Sequence, residues 1–99
     1  GNVHYPPHVF TKEVKKSNRY TIHLYTPSSI KKLDYKILDV RNMELSKGDI
    51  KNISSKRTFP LSLSMEDHDE GFYTLSISIN WKHDPGEYIA KYRFYHKPI

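Results

Sequence analysis

The 99-residue chain carries 16 Lys and Arg against 11 Asp and Glu, a net charge of +5, with 36% hydrophobic residues and no cysteine. That length suits one domain and excludes two independent cores, and the absence of cysteine excludes disulfides and thiolate metal sites within the chain. Eight tyrosines and a sole alanine, Ala90, favour pleated strands over helices, because aromatic side chains fit sheet surfaces and alanine is the best helix former.

Residues 1–7 are expected to be irregular: Gly1 is compatible with a remnant of tag cleavage, and Pro6-Pro7 stops regular pairing. The domain is expected over residues 8–99, with room for a short edge strand over 8–14. Residues 19–25 alternate, with Tyr20, Ile22 and Leu24 in one phase, and Thr26-Pro27-Ser28-Ser29 closes the strand with turn chemistry. A third strand is expected over 30–40, with Leu33, Tyr35 and Ile37 on one face and Lys32, Asp34 and Lys36 on the other. Residues 41–57 are polar, with Met43, Leu45, Ile50 and Ile53 as weak anchors, and read as short edge strands joined by loops. Phe59, Leu61, Leu63 and Met65 then mark a half-buried strand. The clearest strand follows, with Tyr73, Leu75, Ile77, Ile79 and Trp81 in one phase and Thr74, Ser76, Ser78 and Asn80 in the other. Asp84-Pro85-Gly86 is suited to a type II turn, after which residues 87–96 pair back as a hairpin. Strands with turns every 8–12 residues give an all-β sandwich or barrel.

The acidic loop Asp69-Glu70-Gly71-Phe72-Tyr73-Thr74-Leu75 resembles the D-x-G-x-Y-x-C motif at the start of strand F in the immunoglobulin superfamily, with Leu75 in the place of the cysteine. The resemblance implies an immunoglobulin-like antiparallel β-sandwich of about seven to nine short strands, similar to the cysteine-free amino-terminal domains of lymphocyte adhesion receptors. It implies that the Tyr73 hydroxyl bonds back to the loop backbone, that Gly71 relieves the corner, and that Leu24 stands for the other half of the inter-sheet disulfide. Leu33, Tyr35 or Ile37 replaces the tryptophan usual on strand C. The alternatives are a sandwich of other ancestry and a barrel.

On that mapping the outer face of strands C, F and G presents Lys32, Asp34 and Lys36, then Thr74, Ser76, Ser78 and Asn80, then Glu87, Lys91 and Arg93. Ile89 and Tyr95 share the last phase, and Tyr88, Ala90, Tyr92 and Phe94 form the opposite one; both carry apolar residues, so the reverse orientation of this strand is open. Resemblance to the adhesion receptors implies a protein partner on this face, with Lys32, Asp34, Lys36, Asn80, Glu87, Lys91 and Arg93 as contact residues. Ordinary solvation of a half-exposed sheet would look similar. Trp81 serves either as a recognition anchor or as a plug at one end of the core.

The basic residues are dispersed from Lys12 to Lys97, which argues against nucleic acid and suits an acidic protein or an anionic cell surface. Catalysis is not expected: there is no nucleophile elbow, glycine-rich loop or cysteine, and no cofactor or metal site is expected. His4 and His8 flank prolines and cannot share a helix face. His68, among Glu66, Asp67, Asp69 and Glu70, sits in a loop without the regular oxygen spacing of a calcium site. No apolar run approaches the roughly 20 residues of a membrane span, so this segment is not expected to insert into a membrane, and no signal peptide is recognised. Asn52-Ile53-Ser54 fits the N-glycosylation pattern and points to an extracellular or cell-surface location. The competing readings are a cytoplasmic scaffold repeat, like the cysteine-poor immunoglobulin repeats of cytoskeletal proteins, and a carbohydrate-binding or host-subverting microbial domain.

Overall fold

The computed structural model describes residues 18–99 and the backbone of residues 8–10. The irregular segment expected over residues 1–7, and the continuation of the first edge strand over residues 11–14, lie outside the described residues. The strands are β1 (His8–Phe10), β2 (Arg19–Thr26), β3 (Ile30–Leu38), β4 (Glu44–Ile53), β5 (Arg57–Ser64), β6 (Gly71–Trp81) and β7 (Glu87–His96). Among the described residues there is no helix.

They form two antiparallel sheets, one ordered β1-β2-β5 and the other β4-β3-β6-β7. The chain changes sheet between β2 and β3, between β4 and β5, and between β5 and β6. Alternation along the strands decides which faces meet. Ile22 and Leu24 of β2 and Phe59, Leu61 and Leu63 of β5 join Leu33, Ile37, Leu75, Ile77 and Ile79 of the other sheet in one buried cluster. Burying such side chains stabilises by about 1.5–3 kcal/mol each, so the shared cluster is what holds the two sheets face to face.

The polar segment over residues 41–57 departs from expectation. It contains one ten-residue strand, β4, paired along its length with β3. Its alternation is faint in sequence because β4 is an edge strand, Gly48 interrupts its inward phase, and the register shifts between Ile37 and Leu38. A Cβ at Gly48 would collide with the ring of Tyr35, its cross-strand neighbour, so the glycine makes room for that tyrosine. Pro60 is tolerated inside β5 because β5 is also an edge, where one side of the strand has no ladder to complete.

Candidate functional site

The corner between β5 and β6 fixes where the long sheet begins. The Tyr73 hydroxyl donates to the Asp69 carbonyl at 2.6 Å, and the Tyr95 hydroxyl donates to Glu70 Oε2 at 2.5 Å, so two tyrosines tether the acidic loop. Gly71 takes φ 155°, a backbone that side chains rarely adopt, with open space around it, so backbone conformation and not crowding calls for glycine there. Met65 is fully buried beneath the loop. Leu24 and Leu75 are both fully buried in the shared core, one from each sheet.

Burial raises the Tyr73 pKa above its ordinary value of 10, with smaller contributions from the negative charges of Asp69 and Asp39. The folded protein therefore holds this proton more tightly than the unfolded chain. The associated stabilisation is complete below pH 10 and is lost as the pH rises through the folded pKa. Urea midpoints measured from pH 8 upward are expected to fall above pH 10, and to fall less steeply in Tyr73→Phe. An unchanged alkaline slope in that variant would exclude Tyr73 as a source.

A second tie joins the sheets at the end of β7. His96 is fully buried, its Nδ1 lies 2.7 Å from the Tyr20 hydroxyl, and that hydroxyl accepts the Lys97 N–H at 3.1 Å. Tyr20 is edge-on to both His96 and Phe94, and the Tyr73 ring also packs edge-on against His96. His96 continues the inward phase of Tyr88, Ala90, Tyr92 and Phe94, although its residue type suggests a surface position.

Register then builds the outer face of the four-stranded sheet. On β7, Tyr88, Ala90, Tyr92 and Phe94 turn inward, while Glu87, Ile89, Lys91 and Arg93 are exposed, which settles the orientation of that strand. Residues paired across neighbouring strands share a face. One row is Lys51, Lys32, Asn80 and Glu87, and the next is Asp49, Asp34, Ser78 and Ile89. The third is Lys47, Lys36, Ser76 and Lys91, and the fourth is Glu44, Leu38, Thr74 and Arg93. The seven residues expected on this face are thus brought onto it. Asn52 is exposed near the end of β4 at φ 57° and takes no place in the four rows. Trp81, only 5% exposed, belongs to the core cluster and is no surface anchor.

The four charged residues of β4 escaped the sequence reading. Their signal is a repeat: Lys32-x-Asp34-x-Lys36 and Lys47-x-Asp49-x-Lys51 are the same pattern, aligned in antiparallel register on their aspartates. Like charges consequently stand opposite one another across β3 and β4, a costly arrangement within a sheet. Lys32 Nζ reaches Asp34 Oδ1 at 3.5 Å, joining the first two rows.

At the centre of the face is a shallow trough of about 410 Å³ with Ser76 and Ser78 at its floor, and Asp34, Lys36, Glu44, Lys47 and Glu87 around it. At the lower end the Arg93 guanidinium lies 4.7 Å above the centre of the Phe72 ring, which is half exposed and packs edge-on against Tyr95. Arg93 and Phe72 line a smaller hollow of about 230 Å³ with Val40, Asn42 and Asp39. Asp39 shapes the β3–β4 turn by accepting the N–H groups of Arg41 and Met43, which leaves Val40 and Met43 in solvent. Among the described residues, no group of three or more His, Asp or Glu side chains is placed to hold a metal ion, and no helix is long and apolar enough to cross a membrane.

Comparison of the chain with protein-family models, with curated proteins and with solved structures finds no match.

Proposed function

We propose that this domain is a non-catalytic protein-recognition or adhesion module built on an immunoglobulin-like sandwich, and that it binds a protein through the outer face of the β4-β3-β6-β7 sheet. In that reading β3, β6 and β7 are strands C, F and G, and β4 extends the same sheet. The observation that carries the proposal is the charged face itself: four rows in register place Lys32, Asp34, Lys36, Glu87, Lys91 and Arg93 on one side of the sheet, where Asp34, Lys36 and Glu87 line a trough together with Ser76 and Ser78. A shallow face with both signs of charge suits a protein surface, where charge sets orientation and encounter rate more than raw affinity. The Tyr73–Asp69 bond at the corner supports the immunoglobulin-like lineage, as do Leu24 and Leu75, fully buried, one in each sheet, to which the resemblance assigns the place of the disulfide. An extracellular setting, with Asn52 glycosylated, accompanies this reading, and its exposed side chain is accessible to modification.

The test is capture of partners from cell-surface and cytosolic fractions, with wild type beside Lys91→Glu/Arg93→Glu. Both side chains are exposed, so the fold should survive the reversals. A partner held by wild type is expected to bind at least about tenfold more weakly to the variant, a loss of about 1.4 kcal/mol. Unchanged affinity for every captured partner would overturn the use of this face. Recovery of a cytosolic filament protein through another surface would support the scaffold reading instead.

A further inference from the structure

We infer that the outer sheet face recognises a second copy of this chain, the two faces stacking with their strands antiparallel about a two-fold axis that crosses the strands between the aspartate row and the lysine row below it. The inference rests on reading this face as a protein-recognition surface, and it specifies the partner.

The sign of the charge changes along β3, β4 and β7 in a way that suits a second copy. A two-fold axis lying in the contact plane and perpendicular to the strands keeps each strand over its own copy and reverses the order of the rows, as an isologous interface requires. With the axis between the second and third rows, Asp34 meets Lys36 of the second copy and Asp49 meets Lys47. The first row then meets the fourth, so Glu87 lies over Arg93 and Lys51 over Glu44. On β6 the facing residues are uncharged: Ser78 over Ser76, and Asn80 over Thr74. No like charges coincide anywhere in the four rows.

Other registers either set like charges together or lose a match. Centring the axis on the aspartate row would set Asp34 on Asp34 and Lys32 on Lys36. Moving it between the first and second rows would keep the lysine–aspartate matches but lose the opposition of Glu87 and Arg93. The like-charged rows that are costly within one sheet are therefore what makes the face selective for one register of its own copy. A lysine and an aspartate extended toward each other can bridge the spacing of about 10 Å between stacked sheets. Arg93 is already held in place over Phe72.

Four strands about 4.8 Å apart and four rows deep cover roughly 400–500 Å² per copy. The total lies below the roughly 1,200 Å² at which weak, transient contacts give way to standard interfaces. The net charge of +5 on each copy also opposes approach. The dimer is accordingly weak and forms at high protein concentration.

Sedimentation equilibrium of the 99-residue chain, from micromolar toward millimolar concentration, tests this with three variants. Asp34→Lys is expected to weaken self-association at least about tenfold, and Lys36→Asp likewise. The second result discriminates, because Lys36→Asp lowers the net positive charge and would strengthen association if net repulsion alone governed it. The swap Asp34→Lys/Lys36→Asp preserves net charge and the lysine–aspartate match, and is expected to restore the dimer. A strictly monomeric wild type, or a swap variant no better than either single variant, would overturn the inference. Should wild type stay monomeric while Lys91→Glu/Arg93→Glu still abolishes capture of a different protein, the second copy is the wrong partner and the recognition face stands.

Discussion

Leu75→Ala is expected to lower the free energy of unfolding by about 2–5 kcal/mol, the cost of removing a buried side chain and leaving a cavity that collapses only in part. The side chain is fully buried on the central strand β6, which is paired on both sides, by β3 and by β7. A strand held on both sides has little freedom to close the gap. A domain of this size has about 5–15 kcal/mol of stability in all, so the variant is expected to fold with a much smaller margin. Urea denaturation followed by Trp81 fluorescence measures the shift. A loss well under 1 kcal/mol would mean that the core between the sheets is looser than its burial implies.

The second large effect tests the proposed lineage. If Leu24 and Leu75 occupy the positions of an inter-sheet disulfide, Leu24→Cys/Leu75→Cys is expected to oxidise to a bridge without disturbing the fold. The oxidised form should be more stable than the reduced form by about 2–4 kcal/mol. Bridge geometry is demanding, with Cα atoms usually 4.4–6.8 Å apart, so spontaneous closure would be strong support for the correspondence. Mass spectrometry under oxidising conditions gives the answer directly. Two free thiols in a folded, oxidant-treated protein would remove the correspondence and leave a sandwich of other ancestry.

Both experiments act on residues that the sequence placed inside, in contrast with those of the charged outer face. Period-two alternation over Phe59–Met65 and Tyr73–Trp81 made those inward residues legible, because a strand buried on one face must repeat its apolar residues every second position. All of them are buried. The same rule put Lys32, Asp34 and Lys36 outward. It failed at β4, where an edge strand with a glycine and a shifted register leaves little alternation to read, and with it were missed Lys47, Asp49, Lys51 and Glu44. For His96 the alternation was legible but the partner was not: it shares the inward phase of β7, and the hydroxyl that meets its buried ring belongs to Tyr20, 76 positions away in the chain.

By itself the sequence determined the class of structure and the inward face of its best strands, since hydrophobic periodicity and turn chemistry are local properties. It also determined that no disulfide holds the sheets together, leaving apolar packing to do so. Only the tertiary structure decided which strands are neighbours and in what register. Two Lys-x-Asp-x-Lys segments have no mutual meaning until β3 and β4 pair on their aspartates, and Glu87 and Arg93 join their rows only through β6. A binding face is a property of register, and register is set by contacts between residues far apart in the chain.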